Sequence, residues 1–142
     1  MDSTVERHGT YKGYDYLVLM IHGLHYCAYV RLPKNHPYYN LPYDDIPIDC
    51  HGGLTFSQMT GFAPLKKKVW KSRFLGSVWG GSWEYEDINK GYWIGWDYAH
   101  AGDYVPYMPN ENDKKRTPDE IVLDAKHVIE QLIKAAVTDD NR

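Results

Sequence analysis

Three ionisable residues fall at intervals of three in one short stretch of the chain: Asp97, His100 and Asp103. They follow an apolar, aromatic run at 92–96 that is typical of a strand, so they would stand on the loop at its end. Carboxylates and imidazoles are the side chains that proteins use for general acid–base chemistry and for holding divalent ions. The pattern therefore indicates a site at the tip of this strand.

The same residues also have ordinary structural uses, which the sequence leaves open. Asp97 can cap a turn, His100 can hydrogen-bond to the backbone, and Asp103 can close an Asx turn. No zinc-binding spacing is matched, and the sequence identifies no cofactor. If a metal ion is held, its predicted ligands are Asp97, His100 and Asp103, with His51 as a fourth if its own loop meets this one.

A second stretch of similar character runs from Asp49 to Phe56. Its paired glycines, Gly52 and Gly53, allow a tight bend or a close approach of the backbone to a ligand. We predict that this stretch meets the 97–103 loop and that the two line one pocket. Cys50, next to His51, is predicted to be a small buried residue rather than a nucleophile, because neighbours in a strand point to opposite faces.

The segment 33–47 supplies the remaining candidates. Its four prolines exclude a central strand or a helix interior, and a long irregular segment in a compact domain is often a functional loop. We expect it to pass over the sheet and reach the second stretch. The predicted ligand-binding residues of the whole site are His36, Tyr39, Asp45, His51, Gly52, Gly53, Thr55, Trp96, Asp97, His100 and Asp103.

The rest of the chain predicts the elements that carry these loops. Residues 14–21 are rich in β-formers, residues 25–32 alternate with a period of two, and a turn at 22–24 would join them as a hairpin. Thr117, followed by proline and two acidic residues, marks a helix start. Apolar residues then recur at helical spacing to position 136, which predicts a helix over 118–137.

The predicted fold is α+β: an antiparallel sheet with long loops at one end and a C-terminal amphipathic helix packed on one face. We expect one domain over 1–142, with a core of about 14–137. Residues 1–13 are expected to be frayed, 48–56 to form a short strand broken at its glycines, 76–83 to form a loop, and 105–116 to form a polar linker.

Composition excludes several classes of protein. A net charge of −3 argues against general nucleic-acid binding, which needs a basic face. No apolar run is long enough to span a membrane, and the first residues lack the apolar core of a signal peptide. The two cysteines do not form a disulfide framework. These features predict a cytoplasmic protein with reduced thiols.

Several blocks of the chain resemble a family of small uncharacterised proteins from bacteriophages and prophages. The likeness covers roughly residues 14–104, and its most specific parts are His-Gly-Gly-Leu-Thr at 51–55 and Asp-x-Ala-His-x-Gly-Asp at 97–103. The resemblance implies a setting rather than a mechanism. Many small phage accessory proteins counter host defences, and some sequester or cleave nucleotide-derived immune signals.

The leading hypothesis is therefore a phage counter-defence protein that binds and sequesters a small nucleotide-derived signal in the host cytoplasm. In this hypothesis, His51 and His100 contact phosphate or ribose, while Asp97 and Asp103 accept hydrogen bonds from the ligand's hydroxyl groups. One alternative is a metal-dependent or acid–base hydrolase of such a molecule. Another is an inhibitor that docks a tyrosine-rich surface on a host protein. The aromatic content is also compatible with a homodimer.

Overall fold

The computed structural model describes residues 3–62, 66–87, 90–100, 103–104 and 113–140. Its elements are β1 (Ser3–Tyr11), β2 (Tyr14–Ile21), β3 (His25–Leu32), a short 3-10 helix (Tyr43–Asp45), β4 (Phe56–Thr60), β5 (Lys66–Phe74), β6 (Trp79–Asp87), β7 (Gly91–Asp97) and α1 (Pro118–Asp140). Five antiparallel strands form the main sheet in the order β1-β2-β3-β7-β4, and β5 pairs with β6 in a separate two-stranded sheet. The predicted α+β class, with a C-terminal helix on an antiparallel sheet, is confirmed.

The main core lies between the sheet and α1. Alternate residues of β2, β3 and β7 point to the helix because successive side chains of a strand face opposite sides. The fully buried members of this core are Val18, Ala28, Val30, Ile94, Ile121, Ala125, Ile129 and Leu132. A smaller cluster on the other face of the sheet is built on Leu17, Leu19 and Trp93. The helical periodicity read from the sequence thus identifies the buried face of α1.

A capping box fixes the start of α1. The backbone N–H of Glu120 donates to the hydroxyl of Thr117 at 3.2 Å, and the backbone N–H of Thr117 donates to Oε1 of Glu120 at 3.1 Å. These bonds satisfy backbone donors that have no partner within the helix. The predicted helix start is confirmed.

Replacing Thr117 with alanine should lower the free energy of unfolding by about 1 kcal/mol, because the cap hydroxyl is lost. Urea denaturation checks this value. The matched control is Thr138→Ala near the other end of α1, where the hydroxyl donates to the Lys134 carbonyl within the helix; there the change should stay within about 0.5 kcal/mol. Equal losses in the two variants would contradict the role assigned to the cap.

The expectation of a frayed start over residues 1–13 is wrong for residues 3–11, which form β1; residues 1 and 2 lie outside the described residues. Strand β1 pairs with β2 along its whole length, and it is tied to the helix as well. Arg7 Nε lies 2.8 Å from Asp119 Oδ1, and the Tyr11 hydroxyl donates to Glu130 Oε1 at 2.7 Å. Polar composition misled the prediction because an edge strand needs few apolar residues once its neighbour supplies the hydrogen bonds.

Two further boundaries differ from expectation around paired glycines. The strand predicted at 48–56 begins only at Phe56, as β4, after the bend at Gly52 and Gly53. The loop predicted at 76–83 is mostly strand, since β6 begins at Trp79. The glycine at position 81 gives room for the Trp70 side chain, because a β-carbon there would lie 2.8 Å from the indole. Here glycine marks a close approach within a strand.

The β5–β6 hairpin presents an aromatic face to solvent. Cross-strand partners Trp70 and Trp83, and Phe74 and Trp79, pair in register, with ring centroids 5.3 and 5.2 Å apart. These four side chains are 50–74% exposed. An apolar surface of this kind is a candidate contact surface.

Within the part of the chain that is described, no helix is both long and apolar enough to cross a membrane. The predicted linker over 105–116 lies mostly outside the described residues. Of its members that are described, Lys114 forms an isolated parallel bridge with Asp103. This bridge brings the segment before α1 to the loop that follows β7.

Candidate functional site

The two stretches selected from the sequence meet in the fold. Nε2 of His51 lies 2.8 Å from Oδ2 of Asp103, although 52 positions separate them. The imidazoles of His51 and His100 stand edge to face, with ring centroids 5.7 Å apart. The expected convergence of the 51–55 and 97–103 loops is therefore observed.

The loop that carries His51 is clamped to the helix. The Gln131 side chain of α1 accepts from the backbone N–H of Asp49 at 2.8 Å and donates to the Asp49 carbonyl at 2.7 Å. A tight turn follows, in which the Gly53 N–H donates to the Cys50 carbonyl at 3.0 Å. The position of His51 is thus fixed from both sides.

The ring of Tyr98 packs against the imidazole of His51. The two rings are stacked, with centroids 4.6 Å apart and an interplanar angle of 10°. The Tyr98 hydroxyl accepts from the Trp96 indole at 3.0 Å and donates to Asp124 at 2.5 Å. Burial and the bond to Asp124 raise the pKa of Tyr98, so its phenol stays protonated as a donor.

Asp103 is the buried centre of the cluster, with only 4% of its surface exposed. One carboxylate oxygen accepts from the backbone N–H of His100 at 3.0 Å and faces His51, and the other accepts from Arg116 at 2.6 Å. Burial alone would raise the pKa of the Asp103 carboxyl. The hydrogen bonds from His51 and His100, with the Arg116 charge, outweigh burial and hold that pKa below its usual 3.8.

Structural uses of these residues are also present. Asp97 caps a turn by accepting from the Ala99 N–H at 3.1 Å, and it accepts from the Thr55 hydroxyl at 3.3 Å. Asp103 closes the loop onto the His100 backbone. The His100 ring behaves differently: its Nδ1 is buried and has no hydrogen-bond partner among the described residues. Turn formation therefore explains the carboxylates but not the His100 ring.

The absence of a side chain at Gly52 leaves the space that the His100 ring occupies. Its φ is +70°, a region that disfavours residues with a side chain. A β-carbon there would overlap the imidazole, since even Nε2, the farthest of the three nearest ring atoms, would be 2.7 Å away. Gly53, with a φ of +84°, would meet nothing within 4 Å. The two glycines share a backbone requirement, and only the first is needed for close packing.

Four other predicted contacts lie away from the cluster. Trp96 is 1% exposed and belongs to the core under α1, so the prediction that it touches a ligand does not fit. His36 is 5% exposed; its Nε2 lies 2.8 Å from the Leu132 carbonyl oxygen and its Nδ1 accepts from the Tyr38 N–H, which is a structural use. Tyr39 lines a separate cavity beside Arg31. Asp45 is exposed in the 3-10 helix. The 33–47 segment packs on the core rather than over the site.

Two cavities of about 420 Å³ each adjoin the cluster, a volume within the range of small-molecule sites. The first contains Asp103 and Tyr98 in its wall; the other described residues that line it are Met20, Leu24, His25, Tyr26, Tyr104, Lys114, Lys115, Arg116, Thr117 and Pro118. The second contains His51 in its wall, and Lys114 and Arg116 line both.

The basic run at 114–116 is the main feature that sequence reasoning missed. It looked like part of a polar linker, and nothing local links it to a loop eleven positions earlier. The bridge between Asp103 and Lys114 and the ion pair between Asp103 and Arg116 bring it there. The available signal was three consecutive cations directly before a helix cap.

Both cysteines are protected rather than activated. Burial, with a smaller contribution from the Asp49 charge, raises the pKa of the Cys50 thiol to about 12, and burial raises that of Cys27 to about 11. A thiol at such values is neutral at pH 8, and the thiolate is the nucleophile. The prediction that Cys50 is buried holds only in part, since the residue is half-buried, but its environment keeps the thiol neutral.

We expect both thiols to react with a disulfide reagent at pH 8 at least about tenfold more slowly in the native protein than in urea. Absorbance of the released thiolate measures the two rates, and Cys27→Ser and Cys50→Ser variants assign them. A native Cys50 that reacts as fast as in urea would contradict this assignment and restore it as a nucleophile candidate.

No protein-family model, curated protein or solved structure matches this chain. The functional interpretation therefore rests on the geometry of the cluster and its cavities.

Proposed function

We propose that the protein binds a small anionic ligand of the nucleotide class in the cavity between Asp103, Tyr104 and the 114–118 segment. The observation that carries this proposal is the wall of that cavity. Among the described residues, its charged members are three cations, Lys114, Lys115 and Arg116, and one carboxylate, Asp103. The Asp103 carboxylate pairs with Arg116, and Lys114 lies 3.7 Å from Glu120, so Lys115 supplies most of the charge that would attract an anion.

The same wall supplies surfaces for the uncharged part of such a ligand. Tyr26 and Tyr104 line the cavity together with Met20 and Leu24, and aromatic rings can stack on a base. Nδ1 of His25 is buried with no hydrogen-bond partner among the described residues, and His25 lines the same cavity. A phosphate-bearing ligand with a heteroaromatic ring uses all three kinds of group.

The resemblance to phage and prophage proteins gives the proposal its setting. In that setting the protein would remove a nucleotide-derived immune signal by holding it. Sequestration requires binding without bond cleavage, and a cavity lined by cations and aromatic rings supplies contacts for such binding.

Thermal unfolding with a nucleotide panel tests the binding proposal. The panel contains mononucleotides, cyclic nucleotides, cyclic dinucleotides and ADP-ribose derivatives. A ligand present at 100 times its Kd stabilises the folded protein by about 2.7 kcal/mol, which raises the Tm by roughly 5–10 °C for a chain of this size. Lys115→Glu should abolish that rise, and Lys71→Glu on the β5–β6 hairpin should retain it. Equal loss in the two variants, or no rise with any compound, would contradict the cavity as the site.

A hydrolase acting on such a molecule is the second candidate, and the contact between His51 and Asp103 favours it. A carboxylate that orients an imidazole is a recurring arrangement for general-base chemistry. Product analysis separates the candidates, because a binding protein returns the ligand intact and a hydrolase returns fragments. His51→Ala should stop cleavage in the second case.

The exposed aromatic face of β5–β6 favours the third candidate, an inhibitor of a host protein. Trp79 is 74% exposed, and tryptophan is enriched among residues that dominate binding energy at interfaces. Trp79→Ser would abolish capture of a host protein and leave nucleotide binding unchanged. Size-exclusion chromatography of the protein alone shows whether the same face instead joins two copies as a homodimer.

A further inference from the structure

We infer that His51, His100 and Asp103 form a binding site for one divalent transition-metal ion, of which Zn²⁺ is the reference case. The inference goes beyond the nucleotide proposal and does not depend on it. Of the four ligands considered from the sequence, it leaves out Asp97.

The spacing of the donor atoms is the first support. One nitrogen from each imidazole and one oxygen of Asp103 all lie within 4.8 Å of one another. Oδ2 of Asp103 is 2.8 Å from His51 Nε2 and 3.7 Å from His100 Nδ1. Bonds of about 2.0–2.2 Å at a tetrahedral centre put ligand atoms roughly 3.4 Å apart, a value between the two distances.

The state of His100 is the second support. Its Nδ1 is a buried atom that no described residue hydrogen-bonds, and the nearest carboxylate oxygens, on Asp97 and Asp103, are 3.5 and 3.7 Å away. These distances exceed a good hydrogen bond. A buried polar atom of this kind requires a partner, and an ion shared with Asp103 and His51 supplies one.

The surrounding contacts orient the ligands as they do in metal centres. Arg116 donates a hydrogen bond to the other carboxylate oxygen of Asp103, and stacking on Tyr98 orients the His51 ring. Such outer contacts hold ligands in place and tune their basicity. Binding replaces the present contact between His51 and Asp103, so His51 coordinates through Nε2 with its proton on Nδ1.

The donor set selects the class of ion. Two imidazole nitrogens and one carboxylate suit Zn²⁺ and related transition ions, whereas Mg²⁺ and Ca²⁺ prefer oxygen ligands. Three protein ligands also leave a coordination position for water or a substrate atom. Because Asp103 lies in the wall of the first cavity, that ion would stand at the cavity's edge.

Calorimetric titration of the metal-free full chain with ZnCl₂ tests the site. We expect one Zn²⁺ per chain, no competition from millimolar MgCl₂, and at least about a 100-fold loss of affinity in His100→Ala. Binding that is equal in His100→Ala and the native chain, or absent from the native chain, would overturn the inference.

Gly52 and Gly53 allow a matched pair of variants that tests the site while leaving its three metal-coordinating side chains in place. Gly52→Ala and Gly53→Ala introduce the same strain at positive φ, but only the first displaces the His100 ring. Gly52→Ala should lose Zn²⁺ affinity as His100→Ala does, and Gly53→Ala should keep it. Circular dichroism verifies that each variant is folded; if Gly52→Ala unfolds, His100→Ala decides. Equal affinities in two folded glycine variants would overturn the inference.

Discussion

Replacing Asp103 with alanine is expected to lower the free energy of unfolding by about 3 kcal/mol at pH 7, because it breaks a buried ion pair. The change leaves Arg116, 20% exposed, without its carboxylate. It also removes an acceptor from the backbone N–H of His100 and the partner of His51. Urea denaturation measures the loss.

An exposed ion pair gives the matched control for Asp103. Asp119 lies 2.8 Å from Arg7, and its side chain is 80% exposed, so Asp119→Ala should cost at most about 1 kcal/mol. A loss at Asp103 as small as the loss at Asp119 would contradict the central place given to Asp103.

The effect of Asp103 also has a pH signature. Its pKa is lower in the folded protein than the usual 3.8, so its contribution is fully present well above that value. It is lost as the pH falls through the folded pKa, since folding then opposes protonation. The difference in unfolding free energy between the native chain and Asp103→Asn should therefore shrink as the pH falls below about 4. A difference that grows as the pH falls below about 4 would contradict this sign.

Replacing Leu132 with alanine should lower the free energy of unfolding by about 3–4 kcal/mol, through lost burial and the cavity left behind. Leu132 is fully buried between α1 and the sheet. Val137 lies on the same helix and is 55% exposed. Val137→Ala should therefore change the free energy of unfolding by less than about 0.5 kcal/mol. Urea midpoints at constant m value make the comparison. Equal effects would mean that α1 does not pack as described.

Local patterns were sufficient where one physical signal dominated. The period of two in β3 and the helical spacing in α1 predicted both elements and their buried faces. The capping residues at Thr117 and Glu120 located the helix start because a cap is a local motif. The meeting of His51 with Asp103 followed from placing polar loops at one end of a sheet.

Long-range pairing explains what the sequence did not reveal. Strand β1 is polar and acquires its structure from β2, and β6 tolerates glycine because Trp70 fills the space. Lys114 and Arg116 reach the site through contacts with Asp103, and no local pattern encodes such contacts. Trp96 was misplaced for a related reason: its position next to polar residues concealed the fact that it faces the helix.

The central claim is that the cavity beside Asp103 holds a nucleotide-class ligand. The most direct measurement is mass spectrometry of the nucleotide panel, incubated with the protein with and without Zn²⁺ and assayed before and after heating. The account predicts that one compound is depleted in proportion to the protein and returns intact after heat release. A compound converted to new masses would contradict sequestration and establish the hydrolase, and a panel that is not depleted under either condition would contradict the claim.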